Sequence, residues 1–334
     1  MQSCSHSRKD KAFISRLSPD LKQFVSAPLA VIYGGTLSQI PSDNFKDFPN
    51  YLAYAEHSWE RFLSLPSNDL LALISNEPVW LLINATLGSA FSPETVVRLI
   101  IFFSASTTAW AVFRSHRDKV IWLLILLALP IVVKNNLIHL RQGAAISVFL
   151  LGWFSTKRSN RWTLLGLTPF IHASFFFLLP VLWGARLMVG IRLGSGARLI
   201  VFVVMGVVAG ISVAWLANLL GARQAQTYQF SATEVSGLSF VLWTGILALF
   251  LAEGREFLKT YSFETGVIAF YLSTYWFIEV TARIFESGVL LVLLAGLALT
   301  GFRRIAYGIT ILIALLLFPW ALQISQPGLG YIAN

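Results

Sequence analysis

Apolar runs alternate with short polar breaks along almost the whole chain. They lie near residues 24–40, 78–92, 95–113, 120–134, 137–155, 162–183, 198–220, 237–252, 264–282, 285–301 and 304–324. A bilayer crossing needs about 20 mostly apolar residues. Only helices or closed barrels satisfy the backbone in lipid. The pattern therefore predicts an all-α, polytopic integral membrane protein with about nine to eleven transmembrane helices. The run at 24–40 is weakened by Gly34 and Gly35, and the run at 78–92 contains Asn84 and reads also as a re-entrant or interfacial segment. Residues 1–23 form a basic arm, expected in the cytoplasm. Residues 24–334 form one membrane domain, and 41–77 reads as an extracytoplasmic loop rich in acids and aromatics.

Composition agrees with this reading. Charged residues make up 12% of the chain and hydrophobic residues 56%, with a mean hydropathy of +0.69. Soluble domains carry roughly 25% charge. That excludes an ordinary cytosolic enzyme, a disordered chain and a disulfide-stapled secreted domain. The single cysteine, Cys4, forms no intrachain bridge and suggests no metal site.

Basic residues cluster at Arg114–Lys119 and at Lys157–Arg161, and the positive-inside tendency assigns both connections to the cytoplasm. The Lys134–Arg141 corner then falls outside. So does the basic Arg186–Arg198 connection, against the same tendency. An interfacial helix or one miscounted span removes that conflict.

The acids are unevenly spread. Asp43, Asp47, Glu56, Glu60, Asp69, Glu77 and Glu94 crowd one stretch, and no acid occurs between Lys119 and Thr233. Most basic residues in the acid-free stretch sit at span ends, where a solvated head over a buried stem is unremarked. Arg141 is different. It lies inside the apolar run from Leu137 to Phe154, beside His139 and Gln142 and seven residues after Lys134. A charge inside a span costs at least ~2.5 kcal/mol and marks a functional candidate. Two readings stand: a guanidinium fork gripping phosphate oxygens, or a structural ion pair with Glu77 or Asp47. Gly143, Ala144, Ala145 and Ser147 follow, small enough for a close neighbouring helix.

His172 follows Pro169 in the run Thr168 to Ser174. Proline frees a backbone carbonyl and kinks a helix. The imidazole is either satisfied locally, or transfers a proton or bonds a polar substrate. In 41–78 and just beyond it, acids are interleaved with Asn50, Tyr51 and Trp80. Carboxylates and amides bond hydroxyls, and aromatic rings cover the apolar faces of sugars. The chain has no P-loop, G-x-G-x-x-G or H-E-x-x-H motif, no Cys/His cluster and no solenoid repeat. Its charge is not gathered on a soluble face, which argues against nucleic acid.

Four segments together resemble the EpsG-type branch of the Wzy-like bacterial polysaccharide polymerases. They are Asp43 to Tyr51, Asn76 to Asn84, Lys134 to Gly143 and Phe170 to Ser174. The resemblance covers residues about 31 to 183. Beyond that it rests on the hydrophobic profile and on Arg283 at a late span end.

The resemblance implies an enzyme of the bacterial inner membrane, a multi-pass protein and a glycosyltransferase-type polymerase. Such proteins join oligosaccharide repeats carried on undecaprenyl pyrophosphate, at the outer face of the membrane. A flippase and a chain-length regulator are the partners to expect, with membrane lipid around them, and no metal or cofactor is called for. The catalytic candidates are Arg141, His172, Glu77, Asp47 and Asp43. The substrate-binding candidates are Lys134, His139, Gln142, Tyr51, Asn50, Trp80 and Arg283. Arg141, Lys134 and His172 are expected around one polar cavity faced by Asp43, Asp47 or Glu77. Two other readings remain: a flippase or transporter of the same lipid-linked sugar, or a non-catalytic part of an export complex.

Overall fold

Prolines set where many of the helices begin. Proline lacks an N–H and pre-sets φ, so it opens a helix without losing a bond and disfavours the helical region for the residue before it. In the computed structural model, which describes residues 19–41, 45, 47–64, 76–219, 237–276 and 280–317, four helices after the first start this way. They are α2 (Phe48–Leu63, with Pro49 in its first turn), α3 (Pro78–Gly88), α4 (Pro93–Ser115) and α6 (Pro130–Leu137). Preceding or following them are α1 (Pro19–Ser38), α5 (Val120–Leu127) and α7 (Leu140–Trp153). Then come α8 (Arg158–Leu167), α9 (Phe175–Gly190), α10 (Ser195–Leu219) and α11 (Leu238–Glu253). The last are α12 (Arg255–Thr260), α13 (Ser262–Leu272), α14 (Val280–Gly296) and α15 (Gly301–Leu316). The described residues contain no strand, so the fold is all-α, as expected of a helical membrane protein.

Among the described residues, two helices are long and apolar enough to cross a bilayer unbroken: α4, and α10 over Ser195–Ser212. A third crossing is available to α5 and α6 together, which meet at a 62° bend. Pro130 causes it: Leu129 is extended at φ −62° and ψ 139°, and the Tyr33 hydroxyl donates to the Leu127 carbonyl at the break, 2.9 Å. The other apolar helices, including α3, α9, α11 and α13, are shorter. The hydropathy count of nine to eleven crossings thus meets a chain whose apolar runs fold mostly as short helices.

Two sequence expectations change. The stretch 41–77 is not plain loop, because it contains the 16-residue α2, which buries Tyr51, Ala55 and Ser58 along one stripe. The run at 162–183 is not one span. Pro169 cannot donate to Leu165, whose carbonyl takes the Thr168 hydroxyl instead, 2.6 Å, and the chain turns over residues 168–174. The two helices α8 and α9 then form a hairpin. Arg186 near the end of α9 lies over the rings of Trp162 on α8 and Trp153 at the end of α7, 4.8 and 6.0 Å from their centroids.

This hairpin dissolves the charge conflict. The 157–161 and 186–198 connections share one end of the bundle with Phe263 of α13, whose ring lies 5.3 Å from Trp153. We call this the lower end. At the upper end lie the start of α7, the hairpin turn and the first turns of α3 and α14. The core between is packed with Trp80, Phe149, Phe175 and Phe285.

Candidate active site

Breaks in helices supply the upper end with polar groups. The chain breaks at Ile138 and His139 between α6 and α7, two residues beyond Asn135-Asn136. Amides in a helix's first turn lack intrahelical acceptors. That of Leu140 donates to the Tyr51 hydroxyl, 3.1 Å. The crossing is close enough that a Cβ on Gly143 would fall 2.3 Å from the Asn135 carbonyl oxygen, so only glycine fits there.

Glu77 precedes α3 in the left-handed region, at φ 56° and ψ 57°. For a residue with a Cβ this costs about 1–2 kcal/mol. Strain of this kind persists where surrounding contacts over-determine it, and here they do. One Glu77 oxygen accepts from Arg141 Nη1 at 2.7 Å. The other accepts from His172 Nδ1 at 3.1 Å and from the Ala173 amide at 3.0 Å. Three elements thereby meet on one carboxylate: the α3 start, the α7 start and the hairpin turn. An ionised carboxylate only accepts, so Nδ1 carries the proton and Nε2 is left as the acceptor of a neutral ring. His172 Nε2 is buried and has no partner among the described residues. The Arg141 guanidinium also lies 5.7 Å from the Tyr54 ring centroid. Trp80 meets Tyr51 and Tyr54 edge-on, at 6.1 and 6.0 Å.

A second buried pair stands beside the first. Lys134 Nζ donates to Glu286 Oε1 at 2.6 Å, and Asn135 donates to the Glu286 carbonyl at 3.3 Å. The other oxygen, Oε2, is buried and unpartnered among the described residues. Gln142 links the two halves. Its amide donates to the Arg283 carbonyl at 2.9 Å and to the Ser287 hydroxyl at 3.2 Å, and Ser287 is 2.7 Å from Ser174. At the rim, His139 Nδ1 lies 3.7 Å from Asp47. His139 holds the Asp47 carboxyl below the usual carboxylate range, with smaller help from the charges of Arg283 and Arg141.

The sequence candidates fall unevenly on this geometry. Arg141, His172 and Glu77 are in direct contact. Gln142, Tyr51, Trp80 and the Arg283 backbone pack around them. Lys134 does not join the Glu77 cluster but pairs with Glu286. Asp47 and His139 form a separate rim pair. Asn50 is exposed on α2, and Asp43 lies outside the described residues. Sequence reasoning missed Glu286, Asn135, Tyr54, Ser174 and Ser287. Glu286 carried the same signal as Arg141, a charge inside an apolar run. No cluster of His, Cys, Asp and Glu among the described residues could hold a metal.

The sequence profile of the EpsG family matches residues 24–326. The chain belongs to the EpsG family. It is a membrane protein of polysaccharide biosynthesis. No curated protein and no solved structure matches it. The EpsG match takes in Glu77 and Glu286, the latter outside the stretch that carries the sequence resemblance.

Proposed function

We propose that the chain is a polysaccharide polymerase that joins oligosaccharide repeats carried on undecaprenyl pyrophosphate. The observation that carries this reading is the Glu77 cluster: a histidine with a free, buried Nε2 and an arginine, both held on one carboxylate. In the reaction, the bond between the anomeric carbon of the growing chain and its pyrophosphate oxygen breaks. A bond from that carbon to a hydroxyl oxygen of the next lipid-linked repeat forms. The hydroxyl proton passes to His172 Nε2. The departing pyrophosphate keeps the bonding electrons and is stabilised by the Arg141 N–H groups that do not face Glu77. Both Glu77 oxygens are engaged, so it orients His172 and steadies its positive charge rather than taking the proton itself.

The end that carries Lys157, Arg158, Arg161 and Arg186 is cytoplasmic in this reading, because short basic connections are retained inside. The Glu77 cluster then faces the outer side of the inner membrane. Aromatic residues around it suit the sugar, and Lys134 with Glu286 suits its hydroxyls.

Glycan length tests the proposal. A deletion strain should accumulate single repeats on lipid. The native chain should restore polymer, and Arg141→Ala should not, at equal protein abundance. A strain with no repeat on the outer side would make the chain a flippase instead. Polymer of normal length from Arg141→Ala would remove Arg141 from the site.

A further inference from the structure

At the lower end, α9 gives way to α10 through a turn in which Arg192 is left-handed at φ 59°. The Arg192 amide donates to the Val189 carbonyl and the Leu193 amide to the Met188 carbonyl, the helix-ending pattern that normally favours glycine at this position. Beside it opens a cleft of about 530 Å³, in the range of small-molecule sites. Its charged lining is Arg192, Arg198, Arg255 and Lys259 against the single acid Glu256.

Three observations make this more than a basic surface. Arg198 is buried, only 5% exposed, and its one described hydrogen bond is to the Leu258 carbonyl, 3.3 Å. It forms no ion pair among the described residues, although a buried charge normally requires one. Deeper in the same crevice the Ser262 hydroxyl, 6% exposed, has no partner among the described residues. Finally, α10 begins here with Gly194-Ser195-Gly196, and a Cβ on either glycine would meet nothing within 4 Å. The start of α10, the positive end of its dipole, therefore has unfilled space beside it. An anion is the ligand all three features require.

The geometry points to a binding site for the phosphate headgroup of an anionic membrane lipid, with Arg198 at its base and Arg192, Arg255 and Lys259 at its rim. The lipid source follows from α10. On the flank turned away from Arg198 this spanning helix exposes Ile200, Val204, Val208 and Ile211, an apolar face for the bilayer, so the cleft at its start sits at headgroup depth. Basic pockets between helices at the cytoplasmic side hold such headgroups by the same chemistry. The site lies at the opposite end of the bundle from Glu77 and does not depend on the transfer reaction.

The test uses the full chain in neutral detergent, with lipid binding read by native mass spectrometry. Phosphatidylglycerol should bind at least ~10-fold more tightly than phosphatidylcholine, because three or four cations discriminate on net charge. Arg198→Gln should weaken phosphatidylglycerol by about tenfold or more. The triple variant Arg192→Gln, Arg255→Gln, Lys259→Gln changes only exposed side chains. At about fivefold per cation near the membrane surface it should weaken binding ~100-fold. If Arg198→Gln does not fold, the triple variant decides. Binding of phosphatidylglycerol within twofold of native by the triple variant, or equal binding of phosphatidylcholine, overturns the site. Displacement of the lipid by inorganic phosphate at lower concentrations than the lipid itself requires overturns the lipid source.

Discussion

The two ends of the bundle handle charge in opposite ways. At the upper end the charges at the centre of the site are buried in pairs: Arg141 and His172 on Glu77, and Lys134 on Glu286. At the lower end Lys157, Arg158, Arg192, Arg255 and Lys259 are exposed and form no ion pairs among the described residues, and the main acid there, Glu253, is taken by Arg303 and Thr300. Solvated basic residues cost little and orient a membrane protein. Buried pairs cost several kcal/mol in desolvation and are weak sources of stability, so their presence asks for a role. Burial with specific partners, rather than charge count, separates the chemistry of this chain from its topology. Arg198 and Glu264, both buried, depart from the lower-end pattern.

The comparison can be broken first at His172. If it is the base, His172→Gln removes proton transfer, a contribution of typically 10²–10⁴ in rate. In vitro elongation of a lipid-linked repeat, normalised to protein in the same membranes, should fall by that order. Elongation within a few fold of native would transfer the role elsewhere, with Glu286 the next acid to substitute. Arg141→Lys comes second. It keeps the charge but loses the planar fork that holds Glu77 and phosphate together. Turnover should drop ~10²–10³-fold in the same assay while the chain still accumulates. Near-native elongation from Lys at this position would reduce Arg141 to a point charge.

A smaller effect sharpens the rim of the upper end. Asp47 has a depressed pKa in the fold, so its contact with His139 contributes stability above the ordinary carboxylate pKa of about 3.9. That contribution is lost as pH falls through the lowered value. Because the pair is partly exposed, the effect should stay below ~1 kcal/mol. Thermal unfolding at pH 7 and pH 3 should therefore differ slightly less in Asp47→Asn than in the native chain. An unchanged difference would show that the pair contributes nothing. The smallest effect belongs to the lower end. Lys157→Gln with Arg158→Gln alters only exposed side chains, and elongation per molecule should stay within about twofold of native. A tenfold loss would mean that the two ends are not separate in function.

The sequence made much of this architecture legible, for physical reasons that differ by region. The runs at 95–113 and 198–220 coincide with α4 and α10, because long uniform apolar helices leave little else to decide. The run at 162–183 misled, since hydropathy sums over a turn that is itself apolar. Pro169 and His172 were the signs that it was broken. In 41–77 the abundance of Asn, Asp and Pro hid α2, although Tyr51, Ala55 and Ser58 already stood at helical spacing. Arg141 was visible as a costly charge, and Glu77 was one of two acids offered as its partner. Lys134 is expected around the Arg141 cavity, and its pairing with Glu286 is not legible because the two are 152 residues apart and sequence separation carries no information about which buried charges meet.

The α8–α9 hairpin has a consequence for the order in which the protein is made. Neither arm is of full spanning length, and the turn between them is held by Glu77, synthesised earlier, and through Ser174 by Ser287, synthesised later. The polar cluster is therefore incomplete until α14 has left the ribosome. A nascent chain halted before that point has its two long apolar helices, α4 and α10, but no finished site. Quality control that senses unpaired intramembrane charge would see Lys134 exposed in every such fragment, and would see it vanish in a single late step when Glu286 arrives.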